Sequence, residues 1–322
     1  MSKNFSIPSF LKPELAQVEA LFYKELYSSS KLLSLITRYI VKTKGKQLRP
    51  LLVFSAAGMV GTLQQSTYSA AYLIELMHTA TLVHDDVVDN ANKRRGFFSI
   101  NALWKNKIAV LVGDYLLSKG LLYAIENNEI EILRIISHAV RQMSEGELLQ
   151  LEKARNLSST EEIYYEIIRK KTASLFVAAM QAGAVSTGVC SNEQCNTLCN
   201  IAELLGIAFQ IKDDILDFST SSLTGKAAWN DLKEQKMTLP LLYTLQQLDA
   251  KHERQLRKAL HSHNNKHENL EKIAHTIIQN GGLEYSTQKL NELCNKALEL
   301  CKTFPANQYN KALCELIEFI KL

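Results

Sequence analysis

The sequence predicts an all-α protein built as one domain over residues 1–322. Three observations carry this. Apolar residues recur with the 3.6-residue period in nearly every stretch. The strict apolar–polar alternation of a half-buried strand is hard to find. Proline and paired glycine break the pattern only at isolated points, with no linker that would mark a domain boundary. Composition agrees: 46% hydrophobic and 22% charged is an ordinary globular profile. The net charge of +4 is too small to imply a nucleic-acid partner, and no basic run is interleaved with aromatics, so nucleic acid is not expected.

Taken in order, Pro13 opens a first amphipathic helix, KPELAQVEALFYKELYS, and the N-terminal MSKNFSIPSFLKPELAQ lacks the apolar core of a secretory signal. A second helix is expected from about Leu32 to Thr43. The segment KGKQLRP then gathers Lys44, Lys46 and Arg49 around Gly45. It reads either as a solvated turn or as a phosphate-binding helix start, where free N–H groups add to the cations. The uncharged run from Pro50 to Ile74 has a polar middle, GTLQQSTYS, so it reads as two buried helices and a turn rather than a membrane span.

The next helix carries His78, His84 and the first acidic cluster. Residues 108–125, apolar on most sides, are expected to form a central helix, with Gly113 and Asp114 structural. Helices continue from Ile130 to Leu151. Residues 161–184 change from polar to apolar at Lys170, Lys171 and Thr172. A helix over 193–218 ends in a second acidic cluster, and the loop STSSLTGKAAWNDLKEQKMTLP, with Lys226, Asp231, Lys233 and Lys236, reads as a mobile lid. From Leu241 to the end the chain is helical, broken near His261–His267, at Gly281-Gly282 and at Pro305. The six cysteines sit at helical intervals among apolar residues, without metal-finger spacing. They read as reduced core thiols of a cytoplasmic protein.

The chemistry lies in the two acidic clusters. Asp85, Asp86 and Asp89 form a DDxxD pattern, followed at once by Arg94 and Arg95; Asp213, Asp214 and Asp217 repeat the spacing. Residues four apart stack on one helix face, so each cluster sets carboxylates side by side, where they repel. A solvated acidic face is the bland reading, and one DDxxD arises by chance in about one chain in fifteen of this length. Two copies, both in strongly apolar helices, go well beyond that expectation. All-oxygen clusters suit a hard cation such as Mg²⁺, which takes one or two carboxylates together with waters and substrate phosphates. Nearby arginines and lysines suit diphosphate oxygens. No nucleophile–base constellation accompanies them, so the set fits ionisation of a diphosphate ester.

The chain resembles the trans (head-to-tail) isoprenyl diphosphate synthases of the medium- and long-chain, heptaprenyl or octaprenyl type. The matching pieces run in order: Gly45-Lys46…Arg49-Pro50, HTATLVHDDVVD…RRG…N, GDYLLSK, KTASLF, FQIKDDILDF and GK…NDL…KMTLP. The resemblance implies an isoprenoid-synthase-type helical bundle around a deep central cavity, assembled as a homodimer. It implies that Asp85, Asp86, Asp89, Asp213, Asp214 and Asp217 hold three Mg²⁺ ions with the allylic diphosphate. Lys46, Arg49, His78 and Arg95 match positions that bind isopentenyl diphosphate. Arg94, Lys171, Thr172, Gln210, Lys226 and Lys236 match those that hold the allylic diphosphate (farnesyl or geranylgeranyl), and Lys171 stands with the six aspartates in the catalytic set. One departure is plain: where the family has Pro-x-Gly after Gly225-Lys226, this chain has Ala227-Ala228-Trp229.

Product length is expected to be set by Ala80 and Thr81, five and four residues before the first aspartate, with Met77 a turn lower. Both upper positions are small where short-chain members place an aromatic plug, so a product longer than about twenty carbons is expected. A long apolar product implies passing contact with a membrane on release, although no anchor is encoded. Three alternatives stand beside this reading. A geranylgeranyl or farnesyl synthase would share the chemistry. A terpene cyclase would lack the second DDxxD, and a regulatory subunit would lack both.

Overall fold

The computed structural model describes residues 5–322 except 44, 46, 95, 157, 158, 219–228 and 262–266. The described chain is helical almost throughout. In order the helices are α1 (Lys12–Glu25), α2 (Lys31–Lys42), α3 (Leu48–Val60), α4 (Gln65–Val88), α5 (Ile100–Glu126), α6 (Ile130–Asn156) and α7 (Glu161–Ile168). A π-helical turn, Arg169–Ala173, leads into α8 (Ser174–Val185) and α9 (Asn192–Asp217). Then come α10 (Asn230–Lys233), α11 (Leu239–Gln247), α12 (Ala250–His261), α13 (His267–Gln279), α14 (Gly282–Cys301) and α15 (Gln308–Ile320). Two short strands, β1 (Lys93–Arg94) and β2 (Phe97–Phe98), pair antiparallel between α4 and α5, a hairpin too short to leave an alternating pattern. The all-α expectation therefore holds.

Packing groups the residues into two compact units. The first comprises Met1–Arg141, Leu175–Asn200 and Cys301–Glu315; the second comprises Gln142–Ser174, Ile201–Leu300 and Leu316–Leu322.

In the first unit the fully surrounded helix is α4. Its start is fixed by a capping box in which Gln64 and Thr67 exchange side-chain bonds with each other's backbone N–H. Its residues Ala70 to Met77, together with Ala80 and Val83, are buried on every side. Phe22 and Tyr123 pack edge-on or tilted against the Tyr72 ring, at 5.0 and 4.7 Å between centroids. α3 is equally apolar, buried from Pro50 to Met59, and α8 approaches it so closely that Gly183 leaves no room for a side chain. A Cβ there would lie 2.2 Å from the Val53 carbonyl oxygen.

Residues 108–125 depart from expectation. They lie in α5, which runs along α4 and is buried on that side only. His84 Nε2 comes within 3.2 Å of the Val110 carbonyl oxygen and 3.5 Å of the Asp114 carboxylate across this contact, both in structural roles. The opposite face leaves Leu103, Val110, Leu111, Leu121, Leu122 and Ile125 exposed. By length and composition α5 is the one helix among the described residues that could cross a membrane.

In the second unit, α11 and α13–α14 form a local core. Thr244 on α11 donates to the Pro240 carbonyl at 2.9 Å. Tyr243 stacks on Tyr285 at 4.2 Å, and the Tyr285 hydroxyl donates to Glu161 at 2.9 Å.

Gly183→Ala is expected to destabilise the protein by about 1–3 kcal/mol through backbone overpacking. Chemical denaturation of parent and variant measures this, and equal midpoints would exclude the close α3–α8 contact.

Candidate active site

Both acidic clusters occupy the C-terminal turns of long helices. Asp85 and Asp86 lie in the last turn of α4 and Asp89 caps it, its N–H bonded to the Asp85 carbonyl at 2.8 Å. Asp213, Asp214 and Asp217 end α9 in the same way. Neither helix has a basic residue in its last turn. A helix C-terminus carries roughly half a negative charge from its unpaired carbonyls, so a carboxylate placed there is disfavoured by about 0.3–1 kcal/mol. Three at each end make both termini cation-seeking.

The middle aspartate of each cluster is held inside the protein, while the flanking ones are half-buried or exposed. In the first unit Asp86 is 3% exposed, Asp85 is half-buried and Asp89 is exposed. The β1–β2 hairpin folds back so that Arg94 Nε donates to Asp86 Oδ1 at 2.6 Å. Asn101 Nδ2 donates to the Asp86 carbonyl at 3.1 Å, and Tyr39 secures the hairpin with a 2.6 Å bond to the Phe98 carbonyl. The buried Asn101 Oδ1 accepts no hydrogen bond among the described residues.

A cavity of about 90 Å³ adjoins this pair, lined along α4 by Glu75, Thr79, Leu82, Val83 and Asp86. That stripe is roughly opposite the one bearing Met77, Ala80 and Thr81, so the expected product-length residues do not line it. Ala80 and Met77 are buried, with Met77 Sδ packed where Gly120 lacks a Cβ. Thr81 is half-buried, its hydroxyl bonded back to the His78 carbonyl at 2.9 Å. His78 is itself buried. Arg49, in the first turn of α3, lies over the Phe176 ring at 5.5 Å. Gln47 just before it adopts a left-handed conformation (φ 51°), which starts α3 sharply at Leu48. Lys46, Arg95 and Lys226 lie outside the described residues.

In the second unit Asp214 is 3% exposed, Asp217 half-buried and Asp213 exposed. Tyr164 donates to Asp214 Oδ2 at 2.7 Å, and Gln210 Nε2 donates to Oδ1 at 2.8 Å. Thr172 in turn donates to Gln210 Oε1 at 2.8 Å, so three of the expected site residues form one chain of bonds. The π turn at 169–173 widens the helix where Lys171 and Thr172 emerge, a distortion often found at functional positions. Gly146 on α6 admits this turn, since a Cβ there would meet the Lys171 backbone nitrogen at 2.9 Å. Lys171 pairs with Glu147 and reaches Gln150 at 3.4 Å, rather than an aspartate.

Behind the lid sequence, both Asp217 oxygens accept backbone N–H groups, from Asn230 at 3.1 Å and Asp231 at 3.0 Å. Lys236 then pairs with Asp231 at 3.4 Å and Glu234 at 2.6 Å. Trp229, where the chain departs from the family's Pro-x-Gly, is buried with φ 64°. The part of the expected lid that is described is thus tied to the second cluster, while 219–228 lie outside the described residues. Tyr164 and Glu147 were not among the residues expected from sequence. Each reaches its partner from a distant stretch, so no local spacing announces it.

Electrostatics separates the acids. Burial, with Asp231 nearby, pushes Asp214 up to about 8. Burial pushes Asp231 up to about 6 against the pull of Lys236. Asp217 is raised by burial against the two N–H groups it accepts. Among the described residues no three His, Cys, Asp or Glu side chains already converge as a metal cage. Such a donor set still fits Mg²⁺, which needs only one or two carboxylates and completes its shell from water and substrate phosphate.

Comparison with known proteins gives a consistent result. The Polyprenyl synthetase family model matches residues 30–277. The octaprenyl diphosphate synthase of Escherichia coli (strain K12) is 35% identical over 304 residues, 94% of each chain. A polyprenyl synthase from Caulobacter crescentus CB15, solved in complex with calcium and isoprenyl diphosphate, superposes with a TM-score of 0.90 at 32% identity, over 99% of this chain and 98% of that one. A decaprenyl diphosphate synthase from Rhodobacter capsulatus gives 0.90 at 33%, over 97% and 96%.

The raised value of Asp214 has a defined consequence for stability. The folded chain holds this proton more tightly than an unfolded aspartate, whose value is about 3.9. Its contribution is therefore full below about pH 4 and is lost as pH rises through about 8. Thermal melts of metal-free protein are expected to weaken between about pH 5 and pH 8, and Asp214→Asn to flatten that slope. An unchanged slope in the variant would show that Asp214 is ionised throughout.

Proposed function

The chain belongs to the polyprenyl synthetase family and is a long-chain trans-prenyltransferase, and we propose that it condenses isopentenyl diphosphate with an allylic diphosphate (farnesyl or geranylgeranyl) by ionisation assisted by Mg²⁺. The product is a polyprenyl diphosphate longer than about twenty carbons, of the kind used for quinone side chains. The observation that supports this reading is the pair of carboxylate clusters at the C-terminal turns of two long helices that carry no basic residue there, each with its middle member buried and hydrogen-bonded.

Bound Mg²⁺ would neutralise the departing diphosphate. Asp85, Asp86 and Asp89 with Asp213, Asp214 and Asp217 would hold it. Arg94 fixes Asp86, and Tyr164 and Gln210 fix Asp214. Thr172 orients Gln210, while Lys171 and Lys236 supply positive charge that can turn from their present acidic partners to substrate oxygens. Arg49 and His78, with Lys46 and Arg95, bind isopentenyl diphosphate. Departure of the diphosphate leaves an allylic carbocation. The isopentenyl double bond attacks it, and loss of a proton gives a chain five carbons longer. No side chain here is an evident base for that proton, and the released pyrophosphate is the base we assign. Ala80, Thr81 and Met77 set where growth stops.

Two further properties belong to this reading. The exposed apolar face of α5 suits a second copy of the chain, forming a homodimer. The six cysteines form no disulfide, which suits a reducing, cytoplasmic setting; lower activity in a reducing than in an oxidising buffer would oppose it.

Incubation with Mg²⁺, labelled isopentenyl diphosphate and farnesyl diphosphate tests the reaction, with product length read by chromatography. Products beyond about twenty carbons are expected, shortened by Ala80→Tyr, and Asp85→Asn should lower turnover about 10²–10³-fold. Products that stop at twenty carbons would refute the length assignment, and absence of elongation the reaction itself. Light scattering should give twice the chain mass, falling to one chain in Leu121→Lys/Leu122→Lys; a monomeric parent would refute the homodimer.

A further inference from the structure

The helical hairpin α1–α2 presents a surface that the prenyl transfer does not use. Tyr23 on α1, Tyr27 in the link that follows it, and Leu32 and Leu35 on α2 are 46–76% exposed. On α2 the exposed positions 31, 32, 35, 38 and 42 recur at helical spacing and form one stripe. Between residues 20 and 43 every exposed charged side chain is basic: Lys24, Lys31, Arg38 and Lys42. The one acid in that stretch, Glu25, is half-buried and lies 3.8 Å from both Lys24 and Lys119. A groove of about 160 Å³ runs between the two helices, with Phe22, Leu26 and Val41 in its floor and Tyr23, Tyr27 and Arg38 at its rim. Phe22 and Val41 also line the cavity beside Asp86, so this face backs onto the first aspartate cluster.

Exposed tyrosines and leucines set among cations match one kind of surface. Tyrosine rings settle at the headgroup level of a bilayer, leucines enter the acyl boundary, and lysine and arginine meet lipid phosphates. A second copy seated on the same patch by two-fold symmetry would set basic groups against basic groups. The exposed face of α5 differs, since Asp114 and Glu126 interrupt it. We propose that the α1–α2 hairpin is a docking face for an anionic lipid bilayer, with the groove receiving part of a lipid chain and Arg38 its phosphate. The binding requires no substrate, so it stands or falls separately from the reaction assigned above.

Flotation of the full-length protein with vesicles, of phosphatidylcholine alone or mixed with phosphatidylglycerol, tests the proposal. The parent is expected to float with the anionic vesicles, to be released by high salt, and to remain largely unbound with the neutral ones. Each cation is worth about fivefold in partitioning, so Arg38→Glu/Lys42→Glu should lower it at least about thirtyfold. Tyr27→Ser/Leu35→Ser should lower it about tenfold. Both variants should melt like the parent and keep its turnover in vesicle-free buffer. A charge-matched control on α12, Lys251→Glu/Arg254→Glu, should float like the parent. The proposal is overturned if the parent does not float or floats equally on neutral lipid. It is also overturned if the control loses binding as fully as the hairpin variants, or if those variants float normally and alter only the oligomeric state.

Discussion

Like charges gathered at the negative end of a helix are an unfavourable arrangement, and this protein builds it twice. Each instance is supported from inside. Asp86 accepts from Arg94 of the β1–β2 hairpin, and Asp214, whose proton burial holds more tightly, accepts from Tyr164 and Gln210. The two solutions differ because the surroundings differ. A charged partner serves where Arg94 reaches from a partly exposed hairpin, and neutral hydrogen-bond donors serve where the site is closed. In both, the internal aspartate ties the last helical turn to residues outside that turn.

The surrounding packing is directed to the same end. The middle of α4, Ala70 to Met77, is buried on every side, so its C-terminal turns extend from a firmly packed rod. On α9 the equivalent stiffness comes from the bond chain Thr172–Gln210–Asp214–Tyr164. That chain begins at the π turn, where an extra residue per turn shifts Lys171 and Thr172 out of ordinary helical register.

Much of this was legible in the sequence, for identifiable reasons. The 3.6 period marked the helices because burying one stripe demands it, and breaks at Gly61 to Gln64 and at Gly281 coincide with helix ends. The aspartate clusters were legible because one spacing occurs twice. Other features were not. The one-sided burial of α5 could not be read, because a largely apolar helix does not announce which of its faces its own chain covers. The β1–β2 hairpin is too short for a period. Tyr164 is fifty residues from Asp214 in sequence, and nothing in EEIYYEII distinguishes it from its neighbour Tyr165. The locking of each cluster's middle member depends on such partners from beyond its own helix, and so emerges only in three dimensions.

Asp217 has a consequence beyond charge. Its two oxygens together offer about four lone-pair positions, and the amides of Asn230 and Asp231 take two of them. A cation that reached this carboxylate would draw on the same electron density that anchors those amides. Its arrival would be registered in the backbone where the chain leaves Trp229, as a change in the exchange of two amide protons with solvent, with no label added and no substrate turned over.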